Sequence, residues 1–210
     1  MLYASEHPLI RHKVAELRDV ATRHRLFRDL VREISTLLAY EATRDLPLVS
    51  RTVRTPLMAT TADEIAVTVG LVPVLRAGLG MVEPLLDLIP RAEVWHLGLY
   101  RNEETLQPVE YYNRLSDRPT PTGQEAGLWF VLDPMLATGG SAVAAVDVLK
   151  RHGSPRIKYV GLIAAPEGIA ALEAAHPDVD VHVAAVDSHL NEHGYIVPGL
   201  GDAGDRQFGT

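Results

Sequence analysis

One segment in the middle of the chain combines the residue types that bind a phosphate group. The apolar run Leu128–Leu132 is followed by Asp133, a tight turn and Thr138-Gly139-Gly140-Ser141, where a helix is predicted to begin. A helix N-terminus that follows a parallel strand offers unpaired N–H groups and a positive dipole end to an anion. The two glycines let the backbone close around such a ligand, and the hydroxyl groups of Thr138 and Ser141 add hydrogen-bond donors.

The composition of this loop favours a monophosphate over a nucleoside triphosphate. The chain contains no Gly-Lys-Ser or Gly-Lys-Thr sequence, which excludes the lysine-dependent triphosphate loop. Asp133 stands just before the turn, where its carboxylate can accept hydrogen bonds from hydroxyl groups near the phosphate. An ordinary β–α turn capped by Thr or Ser is the alternative interpretation of the same residues.

Two other patterns match known motifs but lack the context that those motifs need. Gly199-x-Gly201-x-x-Gly204 has the spacing of a dinucleotide-binding loop, but only six residues follow it, too few for the required helix and strand. His189-x-x-Glu192-His193 has the spacing of a zinc-peptidase motif. Gly194 follows it at once and no third ligand is evident, so we predict no protein-bound metal site.

The segments around the loop alternate between short apolar runs and helical runs. We predict strands at 65–75, 93–100, 127–132, 157–164 and 179–186, and helices at 78–88, 141–151 and 167–176. This alternation is typical of βαβ units, whose parallel strands are rich in Val, Ile and Leu because both faces of the sheet are covered. The sequence therefore predicts an α/β fold with a mainly parallel central sheet flanked by helices.

We predict a single domain, 1–210, in which three segments do not follow this alternation of strands and helices. Residues 1–54 form an N-terminal helical arm, with helices predicted at 8–19 and 23–41 and a strand at 47–54. Residues 101–126 are too polar for a core and are expected to be a mobile excursion. Residues 194–210 contain five glycines and a proline, which predicts an irregular C-terminal hood.

The charge of the chain is unevenly distributed. Residues 1–54 carry a net charge of +3 and the remainder −10. A basic arm is compatible with nucleic-acid contact, but no aromatic residues interleave with its arginines, so we do not expect nucleic acid as a partner. The acidic body implies that a strongly anionic ligand would be held by backbone amides or a metal ion.

Some classes of protein are excluded by composition. The chain has no cysteine, so disulfides, thiolate zinc sites, iron–sulfur clusters and a cysteine nucleophile are all ruled out. No run approaches the ~20 apolar residues that cross a bilayer, and the start of the chain lacks the pattern of a secretory signal. We therefore expect a cytoplasmic protein without membrane contact.

The loop Asp133–Ser141 resembles the phosphoribosyl pyrophosphate (PRPP) loop of type I phosphoribosyltransferases. Most members have a second acid where this chain has Pro134, and the form Asp-Pro-Met-Leu-Ala-Thr-Gly-Gly-Ser is similar to that of uracil phosphoribosyltransferases. Further stretches similar to that family occur in the same order, at 72–81, 100–106, 165–169 and 191–206. The resemblance covers about 55–210 and extends more loosely into the arm. It implies transfer of a phosphoribosyl group from PRPP to uracil, giving UMP and pyrophosphate in pyrimidine salvage.

The resemblance also implies roles for individual residues. PRPP is expected to contact Arg76, Arg101, Asp133, Pro134, Met135, Leu136, Ala137, Thr138, Gly139, Gly140, Ser141 and Asp202. Within that set, the two arginines would bind the pyrophosphate, and together with Asp202 they are the expected catalytic residues. Uracil is expected to be recognised by Ile196, Gly201, Asp202 and Ala203, through main-chain groups of the tail.

The same resemblance implies a cofactor and partners. Mg²⁺ would be held mainly through the substrate pyrophosphate, and the protein would form a homo-oligomer. GTP is a candidate effector, because it activates some relatives, and the sequence leaves open whether it does so here. A second hypothesis is a nucleotide-sensing, RNA-binding regulator with the same fold. The basic arm motivates that hypothesis, whereas the intact tail motif and both arginines oppose it. A third is a transferase for another base.

Overall fold

A computed structural model of the chain describes residues 1–101, 108–113 and 127–210, and for residues 99–101 and 108–110 it describes the backbone alone. The strands are β1 (Leu2–Ala4), β2 (Leu48–Arg54), β3 (Ala59–Ile65), β4 (Val69–Leu75), β5 (Glu93–Val94), β6 (Leu97–Arg101), β7 (Pro108–Asn113), β8 (Leu128–Leu132), β9 (Met135–Leu136), β10 (Arg156–Ala164), β11 (Asp180–Val186), β12 (His189–Leu190) and β13 (Ile196–Val197). The helices are α1 (Pro8–Arg18), α2 (His24–Ala42), α3 (Val82–Leu88), α4 (Gly140–Arg151), α5 (Pro166–Ala175) and α6 (Ala203–Phe208), with a short 3-10 helix at Ala77–Met81.

The main sheet has the order β1-β11-β10-β8-β4-β6-β7, with β5 paired to β4 and β9 to β10. Every pair in it is parallel except that between β6 and β7. The central strand β8 is buried throughout, as expected for a strand covered on both faces. The predicted α/β fold with a mainly parallel sheet is confirmed.

The N-terminal helices pack on the body of the molecule. Helix α1 buries Ile10, Val14 and Leu17, and α2 buries an apolar stripe that begins at Phe27. These side chains belong to the same core cluster as Leu71 of β4. Both helices lie close to where the sequence predicts them, because their apolar residues recur at helical spacing.

The strand at the edge of the main sheet was not predicted. Residues Leu2–Ala4 pair in parallel with β11, so that Leu2 lies opposite Val181. All three residues of β1 are exposed, and a run of three carries no period that would reveal a strand.

Two predicted strands each divide into two separate ones. The predicted strand at 65–75 contains the end of β3 and all of β4, since β2 and β3 form an antiparallel hairpin that pairs Leu48 with Ile65. The predicted strand at 93–100 is divided into β5 and β6. The predicted excursion at 101–126 falls mostly outside the described residues. The part of it that is described, Pro108–Asn113, forms an antiparallel strand beside β6.

The prediction of an irregular tail holds for residues 198–202, whereas other parts of the tail form regular elements. Strands β12 and β13 form a short hairpin, and the last residues form α6. Asp202 begins that helix by accepting a hydrogen bond from the Asp205 N–H at 2.9 Å, and Gly209 ends it with a φ of 76°. Four of the five glycines of the tail, all except Gly204 inside α6, have positive φ angles and lie in turns or at the helix end.

Within the part of the chain that the structure describes, no helix combines the length and apolar character needed to cross a membrane.

Candidate active site

The loop that follows β8 is fixed by hydrogen bonds to β10. The Asp133 N–H donates to the Val160 carbonyl at 3.2 Å, and the Pro134 carbonyl accepts from the Leu162 N–H at 2.9 Å. These bonds continue the parallel pairing of β8 with β10, so the loop leaves the sheet at the carboxyl end of its strand. Ligands of open α/β sheets bind at that end.

Helix α4 begins at the end of this loop. Gly139 precedes it with a φ of 83°, and no side chain among the described residues caps its first N–H groups. A β-carbon at Gly139 would lie 2.9 Å from the Gly168 carbonyl oxygen and from the Ala171 side chain of α5. Glycine is therefore required at this position, and the uncapped helix end can accept an anion.

Asp133 carries the carboxylate of the loop. Its side chain is half-buried, and burial raises its pKa to about 7, although the Met135 N–H donates to the carboxylate and favours the charged form. The buried Tyr159 hydroxyl donates to the main-chain oxygen of Asp133 at 2.8 Å. The carboxyl group is thus held in place, and its charge changes near neutral pH.

A cavity of about 550 Å³ separates the loop from the tail. It is lined by Asp133, Met135 and Ala137 of the loop, by Ile196 and residues 201–204 of the tail, and by Ala77, among others. One cavity therefore brings together residues that the resemblance assigns to PRPP and residues that it assigns to uracil.

The other predicted loop residues differ in their exposure to solvent. Thr138, Gly140 and Ser141 are partly exposed around the start of α4, where Gly139 is buried. Pro134 and Leu136 are buried, and the Leu136 carbonyl accepts a hydrogen bond from Ala165 at 2.9 Å. These two residues shape the loop from inside the core.

Arg76 lies between β4 and the 3-10 helix, and it contacts the tail. Its guanidinium group donates to Asp205 at 2.8 Å and to the Thr210 hydroxyl at 3.3 Å, and it lies 5.8 Å from the centre of the Phe208 ring. Arg76 is half-exposed and does not line the cavity, although the adjacent Ala77 does. Arg101 ends β6, and its side chain lies outside the described residues.

Sequence reasoning missed the residues that support the tail. Asp187 follows β11 as Asp133 follows β8, and its side chain is 4% exposed. It forms an ion pair with Arg18 at the end of α1, and Arg28 of α2 donates to the Gln207 carbonyl at 2.7 Å. The position of Asp187 after an apolar strand was an available signal, because the carboxyl ends of parallel strands meet at one edge of the sheet.

The zinc-peptidase spacing has no helix to support it. His189 belongs to β12, and His193 lies in the turn of the β12–β13 hairpin. The Asn191 side-chain oxygen accepts from the His193 N–H at 3.0 Å and from the Tyr195 N–H at 2.9 Å. The two histidines do not share a helix face.

A larger cavity of about 1080 Å³ lies between β1, the N-terminal helices and the buried residues Lys158 and His182. None of the predicted site residues whose side chains the structure describes lines it. The smaller cavity at the carboxyl ends of the strands is therefore the candidate active site.

Known proteins resemble this chain along its full length. The family model described as uracil phosphoribosyltransferase matches residues 4–210. Uracil phosphoribosyltransferases of Roseiflexus castenholzii and Geobacillus kaustophilus are 61% identical over 209 residues and 55% identical over 210 residues, each covering 100% of this chain and 98% of the relative.

Solved structures show the same likeness in three dimensions. The AQ2163 protein of Aquifex aeolicus superposes with a TM-score of 0.90 at 41% identity, over 99% of this chain and 98% of that one. A point mutant of Trypanosoma cruzi hypoxanthine phosphoribosyltransferase, complexed with the product IMP, has a TM-score of 0.50 at 13% identity, over 78% of this chain and 75% of that one. The second likeness concerns the fold alone.

Proposed function

The chain belongs to the uracil phosphoribosyltransferase family, and on that basis we propose that it transfers the 5-phosphoribosyl group of PRPP to uracil, giving UMP and pyrophosphate in pyrimidine salvage. The observation that carries the proposal is the single cavity lined both by Asp133 of the phosphate loop and by Ile196 and residues 201–203 of the tail. A transferase must hold its donor and its acceptor next to each other, because correct orientation supplies a large part of the rate acceleration.

The loop Asp133–Ser141 would bind the phosphoribosyl group. The uncapped start of α4 supports a site for the 5′-phosphate, with the Thr138 and Ser141 hydroxyl groups as further donors. The Asp133 carboxylate lines the cavity and would accept hydrogen bonds from the ribose hydroxyl groups. Pro134 and Leu136 would act through their main chain, because their side chains are buried.

The reaction requires stabilisation of pyrophosphate as it leaves. The anomeric carbon develops oxocarbenium character during glycosyl transfer, so negative charge accumulates on the leaving group. Arg76 follows β4 and Arg101 ends β6, and these two strands are adjacent and parallel. The two arginines therefore lie at the same edge of the sheet, and both would donate hydrogen bonds to the pyrophosphate. Arg76 would exchange its present partner Asp205 for the ligand.

Mg²⁺ fits the chemistry of this cavity. Asp133 and Asp202 both line it and offer hard oxygen ligands, and Mg²⁺ is usually held by substrate phosphates with one or two carboxylates. When bound, the ion would neutralise part of the charge on the pyrophosphate.

The tail would recognise the base. Main-chain donors and acceptors of Ile196, Gly201, Asp202 and Ala203 suit the carbonyl groups and N–H of uracil. Cytosine would be rejected because its amino group would face a donor and leave polar groups unpaired. Asp202 would also lie close to the ribose and act there as a catalytic residue.

We further propose that the protein is a homo-oligomer. The β2–β3 hairpin is exposed along nearly its whole length, and Leu57 and Met58 at its tip are 95% and 67% exposed. A two-stranded hairpin is marginally stable by itself, which favours its packing on a second subunit. Light scattering should give a mass of at least two chains, and a monomer at micromolar concentration would contradict the proposal.

Two finer expectations concern regulation and location. Activation by GTP is tested by adding GTP to the uracil assay at limiting PRPP, where an unchanged rate would refute it. A cytoplasmic location is tested by fractionating cells that express the chain, where recovery in the membrane or extracellular fraction would refute it.

The central experiment is a panel of bases. The protein is incubated with PRPP and Mg²⁺ and, separately, with uracil, cytosine, adenine, guanine and hypoxanthine, and the nucleotide formed is measured. UMP formation with uracil alone is the expected result. Formation of a purine nucleotide would support the assignment of the phosphate site but would overturn the assignment of uracil as the base.

No product with any base, at PRPP concentrations where binding is measurable, would favour the RNA-binding regulator. An RNA titration over a salt series would then show a steep slope, because phosphate contacts release counterions. The structure gives this alternative little support, since Arg18 and Arg28 of the basic arm already bind acceptors of the tail.

A further inference from the structure

The segment 199–202, which precedes α6, would supply two of the four uracil contacts, those of Gly201 and Asp202, yet it has no regular secondary structure. Gly199 and Gly201 both have positive φ angles, of 65° and 77°. Neither a strand nor a helix holds residues 199–202. Main-chain recognition of a base requires fixed N–H and C=O groups, so other contacts must fix this segment.

An ion pair holds both main-chain groups of Gly199. The guanidinium group of Arg18 forms two hydrogen bonds with the carboxylate of Asp187, one of them 2.7 Å long, and donates to the Gly199 carbonyl at 2.7 Å. Asp187 in turn accepts from the Gly199 N–H at 2.9 Å. The pair is well shielded from solvent, since the Arg18 and Asp187 side chains are 23% and 4% exposed. Such a pair resists displacement because breaking it would leave a buried charge unpaired.

A second arginine fixes the next residue. Arg206 of α6 donates to the carbonyls of Leu200 at 2.9 Å and Leu17 at 2.8 Å through the same nitrogen. Its other terminal nitrogen donates to the Asp19 carbonyl at 2.6 Å, and the group lies 4.5 Å from the centre of the Phe27 ring. Leu200 is thereby attached to the turn between α1 and α2.

We propose that Arg18, Asp187 and Arg206 are positioning residues for base recognition, which together we term the base clamp. They hold Gly199 and Leu200, and through them they fix the main-chain groups of residues 201–203. The inference rests on the proposed function, since it concerns the site assigned there to uracil. None of the three residues lines the cavity, so the clamp acts through the backbone.

Lysine variants test the clamp while keeping the charge. The planar fork of arginine serves several acceptors at once, and a lysine ammonium group cannot reproduce it. Arg18→Lys and Arg206→Lys should each raise the KM for uracil about tenfold, as expected for the loss of one or two charge-assisted hydrogen bonds. The KM for PRPP should stay within about twofold of the wild-type value, since the loop is untouched.

Arg32→Lys is the matched control. Arg32 also belongs to the N-terminal helices, but its ion pair with Asp87 is exposed and 3.6 Å long. Its kinetics should equal those of the wild type. Asp187→Asn serves as an additional variant, because asparagine can still accept from the Gly199 N–H while the ion pair is lost.

The outcomes distinguish a positioning role of the clamp from a general role in stability. They also distinguish a failure of the clamp proposal from a failure of the proposed function. Calorimetric titration with PRPP and Mg²⁺ reports the phosphate loop independently of the base. Variants that lose PRPP and uracil binding together would show that the arginines support the whole fold, and would overturn the clamp. An unchanged uracil KM in an active protein would overturn the clamp alone, whereas a wild type that forms no UMP would overturn both proposals.

Discussion

The guanidinium group of Arg76 lies 2.8 Å from the carboxylate of Asp205, and this contact joins the turn after β4 to helix α6 of the tail. The first element is proposed to bind pyrophosphate, and the second lies beside the proposed base site. A pyrophosphate would have to compete with Asp205 for Arg76. If Arg76 binds PRPP as proposed, this one ion pair couples the binding of PRPP to the position of the tail.

Removing the charge of Asp205 should strengthen PRPP binding. Both partners are about half-exposed, and such a pair contributes at most about 1 kcal/mol, equivalent to about fivefold in affinity. Calorimetry of Asp205→Asn with PRPP and Mg²⁺, without a base, should show a dissociation constant lowered by up to about fivefold. Asp178→Asn removes a comparable exposed partner, that of Lys150, and should leave the affinity unchanged. Weaker binding in Asp205→Asn would mean that the pair orders the site.

Asp202 can be tested for catalysis separately from its role in helix α6. It accepts a hydrogen bond from the Asp205 N–H, and asparagine can keep that bond whereas alanine cannot. We expect both variants to lower kcat at least tenfold, and only Asp202→Ala to lose about 1 kcal/mol of stability in thermal unfolding. Wild-type turnover in Asp202→Asn would rule out a catalytic role for the carboxylate.

Asp133 should make PRPP binding dependent on pH. Burial raises the pKa of its carboxyl group to about 7, and the carboxylate accepts hydrogen bonds from ribose hydroxyl groups more strongly than the protonated acid does, so binding weakens as the pH falls. Between about pH 8 and pH 6 the fraction of carboxylate falls tenfold, so the PRPP dissociation constant should rise by up to about tenfold. Titration of the ligand phosphates affects wild type and Asp133→Asn equally, so the difference between their pH profiles isolates this group. Parallel profiles would contradict the prediction.

The same carboxyl group should also make the stability of the fold depend on pH. The direction is opposite to that of a carboxylate in an ion pair, which stabilises the native state at high pH. Its pKa is raised above the ordinary value of 3.8, so the native state holds the proton more tightly than the unfolded chain does. The contribution of this group to the free energy of unfolding is therefore lost as the pH rises from about 4 to 7. Asp133→Asn should remove that part of the pH dependence in chemical denaturation.

Gly139 should be needed for phosphate binding as well as for stability. Alanine there would adopt a φ of 83° and approach Gly168 and Ala171 at 2.9 Å, at a cost of about 1–3 kcal/mol. Gly153, which follows α4 with a φ of 88°, provides a control with similar backbone strain. Both alanine variants should melt at lower temperature, but only Gly139→Ala should raise the KM for PRPP. An unchanged PRPP KM would place the phosphate elsewhere.

Arg101 should contribute to PRPP binding and little to uracil binding. Loss of a charge-assisted bond to pyrophosphate should raise the PRPP KM about tenfold in Arg101→Ala, with the uracil KM nearly unchanged. Arg91→Ala is the control, because Arg91 is 88% exposed and pairs with Glu64 of the hairpin. Identical kinetics in the two variants would remove Arg101 from the site.

The sequence was sufficient to place the loop Asp133–Ser141 between its strand and its helix. The run Leu128–Leu132 is apolar throughout, and helix α4 starts one residue before its predicted start at Ser141. Arg76 also follows its strand as predicted, at the end of β4. Strong periodicity and glycine turns are local signals, and they identify elements before the structure is known.

The remaining features depend on contacts between distant parts of the chain. Strand β1 exists only because β11 is beside it, and Asp187 meets Arg18 across 169 positions of sequence. The helix in the tail is only six residues long, and two of them, Gly204 and Asp205, have low helix propensity, so the local sequence provided little indication of it. No pattern within a window of about 10 to 20 residues contains such information.

The base clamp also has a consequence for the order in which the molecule is assembled. Arg206 contacts Leu17 across 189 positions of sequence, so helices α1 and α2 leave the ribosome long before their partner has been synthesised. Contacts of such high sequence separation form late, because closing a long loop costs entropy. The strands and loop around Asp133 become available earlier. During synthesis the nascent chain can thus form the proposed phosphate site before the proposed base site is held in place.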